Sequence, residues 1–261
     1  MSRMKRIVVK IGSNVLTRAD GSLDFTRMSA LTDQIADIRR AGIEVIIVSS
    51  GAVASGRGEL KGMTLKAMSD VDQRQLYSAV GQAKLIDRYF ELFRDHGLVV
   101  GQVLTMKENF STPEQYTNQR NCMRVMLDNG VIPIVNENDT VCVTELMFTD
   151  NDELSGLIST MMDADSLIIL SNVDGLYSGR PGDEGVEVIR TVEPGSDIDR
   201  YISTSKSGLG RGGMVSKCGI ARQTAAQGVE VIIANGKREG ILSDLVLNEH
   251  SGTVCTRFLP S

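Results

Sequence analysis

The chain is short of histidine, of paired cysteines, of positive charge and of long apolar runs. Each shortage removes a class of function. Only two histidines, His96 and His250, occur in 261 residues. They leave no credible Ser-His-Asp arrangement and little for a metal site. His96 stands in Arg-Asp-His-Gly at a predicted helix end, where capping is its expected role. The four cysteines, Cys122, Cys142, Cys218 and Cys255, are scattered without paired spacing. They read as free thiols of a reducing cytoplasm, neither a zinc set nor a disulfide framework. A net charge of -5 argues against a nucleic-acid partner held by a basic surface. No apolar run reaches transmembrane length, so no membrane role is expected, and Lys10 interrupts the basic, apolar start too early for a signal peptide. No P-loop of the form G-x-x-x-x-G-K-[ST] is present either.

What is present is an alternation of strands and helices. Arg6 to Ile11 reads as a buried strand broken by Lys10, and Glu44 to Val48 as a second. Between them, Phe25 to Arg40 has helical periodicity and stops at Ala41-Gly42. That β-α-β unit predicts parallel strands. Further strands are predicted at Leu98–Leu104, Val131–Val135, Ser166–Leu170 and Val229–Ala234. Helices are predicted at Arg74–His96, Asn118–Asp128, Asn151–Asp163 and Met214–Gln227. Pro133 argues against a fully paired central position for its strand. Ser178 to Pro194, rich in Gly, Pro and acidic residues, is expected to be an exposed excursion. The fold expected is α/β, a three-layer α/β/α sandwich around a mainly parallel sheet.

The most informative stretch is Lys206 to Lys217, Lys-Ser-Gly-Leu-Gly-Arg-Gly-Gly-Met-Val-Ser-Lys. Its glycines allow backbone N–H groups to turn around an anion, and the helix that follows favours phosphate at its start. Lys217 falls about one turn into that helix. Gly208, Gly210 and Gly213 also fit G-x-G-x-x-G, but the preceding residues are polar and no strand leads in, so a phosphate cradle fits better than a dinucleotide fingerprint. The plain alternative is a glycine hinge with a solvated lysine. In open α/β sheets ligands bind beyond the carboxyl ends of the strands. Those ends here carry Lys10-Ile11-Gly12-Ser13, Ser49-Ser50-Gly51-Ala52, Asn136-Glu137-Asn138-Asp139 and Ser171-Asn172, joined by Asp150-Asn151-Asp152 at a helix start. Singly, each has a plain reading as a cap, a turn or a snorkelling lysine. Together they set lysines, glycines, amides and carboxylates on one sheet edge. That inventory suits phosphoryl transfer, which asks for positioning and charge neutralisation.

In this order these motifs resemble the amino acid kinase family, over nearly the whole chain. Asn-Glu-Asn-Asp, then Asp-Asn-Asp-Glu-Leu-Ser, then Gly-Leu-Gly-Arg-Gly-Gly-Met with Lys217, is similar to the branch of the family that acts on glutamate. The resemblance implies ATP-dependent phosphorylation of the side-chain carboxylate of L-glutamate, the first step of proline synthesis. It implies that Lys10 and Lys217 stabilise the moving phosphoryl group, with Asp152 orienting both lysines and Gly12 and Gly51 offering backbone N–H groups. Ser50, Gly51, Asp139 and Asn151 would hold glutamate. Lys10, Gly12, Ser171, Asn172 and the segment Arg211, Gly212, Gly213, Met214, Val215, Ser216 and Lys217 would line the ATP site. Mg²⁺ is expected to arrive on the ATP phosphates with water, and no protein metal site is expected. A cytoplasmic homo-oligomer, with proline as feedback inhibitor, completes what the resemblance implies.

The sequence departs from the family's pattern twice. Ser171-Asn172 stands where the family commonly has Thr-Asp, and the PUA domain of many relatives is not expected within 261 residues. The whole chain is read as one kinase domain, with an amino-acid-binding part over residues 1–165 and a nucleotide-binding part over 166–261. Two other readings stay open. One is a sister kinase for acetylglutamate, aspartate, carbamate or UMP. The other is a non-catalytic amino-acid or nucleotide sensor on the same fold.

Overall fold

The central strands are apolar on both sides, and neighbouring residues along each one belong to different cores. The computed structural model describes residues 4–141, 150–204, 213–248 and 251–261. In chain order its elements are β1 (Arg6–Ile11), α1 (Ser13–Leu16), α2 (Phe25–Arg40), β2 (Glu44–Ser49), α3 (Ala52–Glu59), α4 (Asp70–Arg94), β3 (Val99–Thr105), α5 (Pro113–Asp128), β4 (Val131–Glu137), α6 (Asn151–Met161), β5 (Ser166–Ser171), β6 (Thr191–Val192), α7 (Asp199–Thr204), α8 (Met214–Ala225), β7 (Glu230–Asn235), α9 (Ile241–Val246) and β8 (Cys255–Phe258). Ile7, Val9, Val45, Ile47, Ile168 and Ile232 pack with α2, α4 and α9 through Ile35, Ile38, Tyr89, Phe93 and Leu242. Val8, Ile46, Leu167, Ile169, Val231 and Ile233 pack the other way, with Met123 of α5, Leu154 and Ile158 of α6 and Cys218 and Ala221 of α8. The period-two alternation of strand side chains thus produces the expected three layers.

Among the described residues eight strands form one sheet in the order β3-β4-β2-β1-β5-β7-β8-β6. All pairs from β3 to β7 are parallel; β8 runs antiparallel to β7, and β6 pairs with β8. The chain starts at β1, builds outward on one side as far as β3, then crosses to β5 on the other. That reversal beside β1 is the topological switch point, where such sheets place their ligands.

Several boundaries differ from expectation for identifiable reasons. α4 starts at Asp70, not Arg74, because Ser69 and Asp72 form a capping box, with the Asp72 N–H donating to Ser69 Oγ at 3.2 Å and the Ser69 N–H to Asp72 Oδ2 at 3.3 Å. α5 starts at Pro113, capped by Thr112, rather than at Asn118. Pro133 lies in an interior strand after all. It pairs with Gly101 of β3, while the ladder to β2 is confined to Ile134 and Val135, just past the missing N–H. The 178–194 excursion is largely exposed but closes on the sheet as β6. His96 is not a cap. Its Nδ1 accepts from Arg40 at 3.0 Å and its Nε2–H donates to Asp33 at 2.8 Å, tying the end of α4 to α2. Cys122, Cys218 and Cys255 are free thiols, and Cys142 lies outside the described residues. Among the described residues no helix is long and apolar enough to cross a membrane.

Candidate active site

Parity along β1 decides where Lys10 points. Val8 faces α6 and α8, so Lys10, two residues on, faces them as well. Asp152 is the second residue of α6, whose N-cap Asp150 accepts the N–H groups of Asp152 at 2.8 Å and Glu153 at 3.1 Å. Lys217 is the fourth residue of α8. Gly156 lets these helices come together: a Cβ there would stand 2.6 Å from Thr224 Oγ1 and 3.1 Å from Ile220. The three side chains meet as one ionic group, Lys10 Nζ at 2.5 Å from Asp152 Oδ1 and Lys217 Nζ at 2.9 Å from Oδ2. Lys10 is 5% exposed, Lys217 7% and Asp152 0%, so water screens them little. Burial pushes the Asp152 carboxyl up, but the two lysines outweigh it and hold it below the ordinary carboxylate range. Asp152 therefore stays ionised and keeps two ammonium groups side by side at the switch point.

A second charged group lies across the same sheet edge. Arg74, in the second turn of α4, donates to Asp139 Oδ1 from Nε at 2.9 Å and Nη2 at 2.6 Å, and to Glu137 Oε2 at 3.3 Å. Ser78 donates to the other Asp139 oxygen at 3.3 Å. One turn further along α4, Gln82 accepts from Asn136 Nδ2 at 2.9 Å. Asn136 in turn accepts from Asn151 Nδ2 at 3.0 Å, and that amide also donates to Ser50 Oγ at 2.8 Å. Below Ser50, the Ser49 and Tyr89 hydroxyls meet at 2.8 Å, and burial pushes the Tyr89 hydroxyl up to about 12. It therefore remains a neutral hydrogen-bonding group.

Two glycines shape the rim. Gly51 caps α3 at φ 110, a backbone open to glycine without strain. Gly12 follows β1; a Cβ there would sit 3.3 Å from both Lys10 Nζ and the Leu170 carbonyl, so its bareness keeps space over the ammonium. The groups open onto one cavity of about 350 Å³. Its wall gathers Lys10, Gly12, Ser50, Gly51, Asp139, Asn151, Ser171 and Lys217, with Asp152 buried beneath. Other predicted positions lie off this wall. Asn172 is exposed, its Oδ1 accepting from Ser171 at 3.4 Å, and Val215 is exposed on the outer side of α8. Met214 is half-buried, Gly213 caps α8, and Ser216 donates to Asp150 Oδ2 at 2.8 Å. Arg211 and Gly212, with most of the glycine stretch, lie outside the described residues.

The structure adds residues that sequence reasoning missed. Arg57 and Arg74 line the cavity, beside the strand-end Asn136, and Ser78, Gln82 and Tyr89 support it from α4. The available signal was spacing: Arg74, Ser78 and Gln82 recur every four residues, one polar stripe on a helix face. Beyond β5 and β7, Asp174 accepts from Arg238 at 2.7 Å, Asn235 at 3.0 Å and the Tyr177 hydroxyl at 3.1 Å. The Arg238 hydrogen bond is the foremost reason its carboxyl lies below the usual range. This clasp joins the two loops that follow β5 and β7.

The fold recurs in small-molecule kinases. An isopentenyl phosphate kinase superposes with a TM-score of 0.67 at 18% identity, covering 97% of this chain and 99% of that one. The carbamate kinase from Giardia lamblia, solved with AMP-PNP, gives 0.67 at 16% identity, with each chain covered completely. Residues 5–235 match the model of the amino acid kinase family. The glutamate 5-kinase of Bacteroides thetaiotaomicron is 65% identical over 98% of this chain and 70% of its own length. That of Chlorobaculum tepidum is 46% identical over 98% of this chain and 69% of its length, and that of Symbiobacterium thermophilum 42% identical over 97% and 96%. The chain belongs to the amino acid kinase family, in the group of the glutamate 5-kinases.

Proposed function

We propose that the protein is an ATP-dependent kinase that transfers the γ-phosphoryl group of ATP to the side-chain carboxylate of L-glutamate. The observation that carries the reading is the buried Asp152 carboxylate shared by Lys10 and Lys217 at the sheet's switch point. The likeness to a glutamate 5-kinase at 65% identity supports the choice of acceptor over the sister kinases and the sensor. In this reading an oxygen of the γ-carboxylate attacks the γ-phosphorus in line, the bond to the bridging oxygen of ADP breaks, and γ-glutamyl phosphate forms. The attacking carboxylate is already an anion, so no general base is required, in keeping with a cavity wall that includes no histidine among the described residues. Lys10 and Lys217 neutralise charge on the transferring group, and Asp152 fixes both ammonium positions before the reaction starts. Gly12 leaves room for the phosphoryl oxygens above Lys10.

Asp139, Asn151, Ser50 and Gly51 receive glutamate from the β2 and β4 side. Ser171, Asn172 and the Arg211–Lys217 segment receive the nucleotide, so residues 1–165 serve the amino acid and 166–261 the nucleotide. Among the described residues no three metal-ligating side chains cluster. Mg²⁺ would arrive with the nucleotide, held mainly by its phosphates and by water, and would supply charge neutralisation there. Cytoplasmic location, self-association and feedback inhibition by proline belong to the same reading. The test is a coupled ADP-release assay over glutamate, N-acetylglutamate, aspartate, carbamate and UMP, with and without proline, beside a light-scattering mass. Turnover confined to glutamate is expected. ATP binding without turnover of any acceptor would refute the reading.

A further inference from the structure

Among the described residues four cationic side chains line the cavity: Lys10, Lys217, Arg74 and Arg57. Three are committed to carboxylates. The lysines share Asp152, and Arg74 grips Asp139 through two nitrogens. Arg57, in the last turn of α3, has no carboxylate partner among the described residues. Its guanidinium carbon instead lies 5.6 Å from the centre of the Tyr77 ring. Tyr77 follows Arg74 by three residues on α4, so Arg57 and Arg74 belong to one wall of the cavity. A guanidinium held over an aromatic face keeps its N–H edge available, and that edge matches a planar carboxylate.

The cavity is therefore cationic at the strand ends, through Lys10 and Lys217, and cationic again on the α3–α4 wall, through Arg57. Asp139 stands on the same wall beside Arg74. Two separated cations with a carboxylate by the second complement a molecule with a carboxylate at each end and an ammonium by one of them. On the reading above, the reacting carboxylate goes to the lysine end. We propose that Arg57 is the specificity-determining residue for the substrate's α-carboxylate, binding it through the guanidinium edge while Asp139 binds the α-ammonium. Arg74 does not serve, because leaving Asp139 would strand a carboxylate that is 7% exposed. This inference rests on the proposed kinase activity and adds which residue makes the enzyme refuse acceptors without an α-carboxylate.

The test compares three ligands that differ by one charged group. L-Glutamate has both carboxylates and the ammonium, glutarate lacks the ammonium, and 4-aminobutyrate lacks the α-carboxylate. Arg57→Gln removes the charge while keeping a polar end. It should raise KM for glutamate and the inhibition constant of glutarate together, by about 10-fold or more, the value of a charge-assisted hydrogen bond. The inhibition constant of 4-aminobutyrate and KM for ATP should hold within about twofold, and the loss should fall on KM rather than kcat. Arg57→Lys should lie between. Equal weakening of all three ligands would show general damage to the wall and overturn the inference, as would no change in any of them. Absence of glutamate turnover by the unaltered protein would overturn the kinase reading, and this inference with it. Normal turnover by the unaltered protein, with Arg57→Gln failing to separate glutamate and glutarate from 4-aminobutyrate, would reject Arg57 alone.

Discussion

The two charged groups of the cavity are built on opposite plans. At the switch point one carboxylate, Asp152, serves two ammonium groups; at the β4 end two carboxylates, Glu137 and Asp139, face one guanidinium. The first is sealed, whereas the Arg74 side chain of the second is 31% exposed. Sealing ions from water costs free energy that pairing returns only in good geometry. The sealed group is thus poorly explained as a device for stability and better explained as fixed charge for a ligand. In the second group only the guanidinium meets water; Glu137 and Asp139 are as buried as the lysines, so Arg74 stays paired with them. The difference teaches that one end of the cavity closes its charges off from water while the other leaves its cation partly in contact with it.

The largest expected effect comes from breaking the sealed group at its centre. Asp152→Asn leaves two ammonium groups without their anion and should cost about 3–5 kcal/mol of stability at neutral pH. Because the folded Asp152 carboxyl lies below its unfolded value, its contribution is complete above the unfolded pKa of about 3.9 and is lost as pH falls through the folded value. Urea midpoints across pH should therefore converge in acid, with a flatter acid limb for Asp152→Asn. Next, Lys10→Ala and Lys217→Ala should each lower kcat on the order of 10²-fold or more while KM for glutamate moves little. A near-normal kcat in either would dismiss that lysine from the chemistry.

The framework under the open group gives the third. Gly81 of α4 lies against α3 so closely that a Cβ would stand 1.8 Å from the Ala52 carbonyl. Gly81→Ala must push α3 aside, at about 1–3 kcal/mol in a denaturant titration, and it should raise KM for glutamate because α3 begins at the cavity. Fourth, Asp139→Ala and Asn151→Ala should raise KM for glutamate about 10-fold with KM for ATP nearly constant. Equal effects on both substrates would mean that the open end does not act separately. The smallest is a control. A Cβ added at Gly58, also on α3, would meet nothing within 4 Å, so Gly58→Ala should stabilise by about 0.4–1 kcal/mol and leave both KM values alone.

How much of this was legible follows from the range of each signal. The parallel units, Gly12 and Gly51 at strand ends, and Lys217 one turn into its helix were readable, because chain order and local spacing determine them. Arg74 was not, because its partner Asp139 lies 65 positions away and an arginine near a helix start is ordinary by itself. Tyr89 reads as any aromatic core residue until Ser49 is seen opposite its hydroxyl. The meeting of Lys10, Asp152 and Lys217 came from resemblance; composition and periodicity do not say that one strand register and two helix registers converge. β8 was missed because its four residues, Cys-Thr-Arg-Phe, carry too short a pattern to mark a strand.

The place of β1 in the sheet has a consequence in time. It is made before the other strands of this sheet, and β2 soon covers one edge, but the other edge waits for β5 at residues 166–171. At about 5–20 residues per second, the interval is on the order of ten seconds. Throughout it, a nascent chain presents a strand whose Ile7, Val8 and Val9 will end with no exposed surface, beside an open ladder of backbone donors and acceptors. Arg6 and Lys10 bracket that apolar run with charge. Lys10, the lysine proposed to neutralise the phosphoryl group, thus also stands guard against strand addition by neighbouring chains while translation runs.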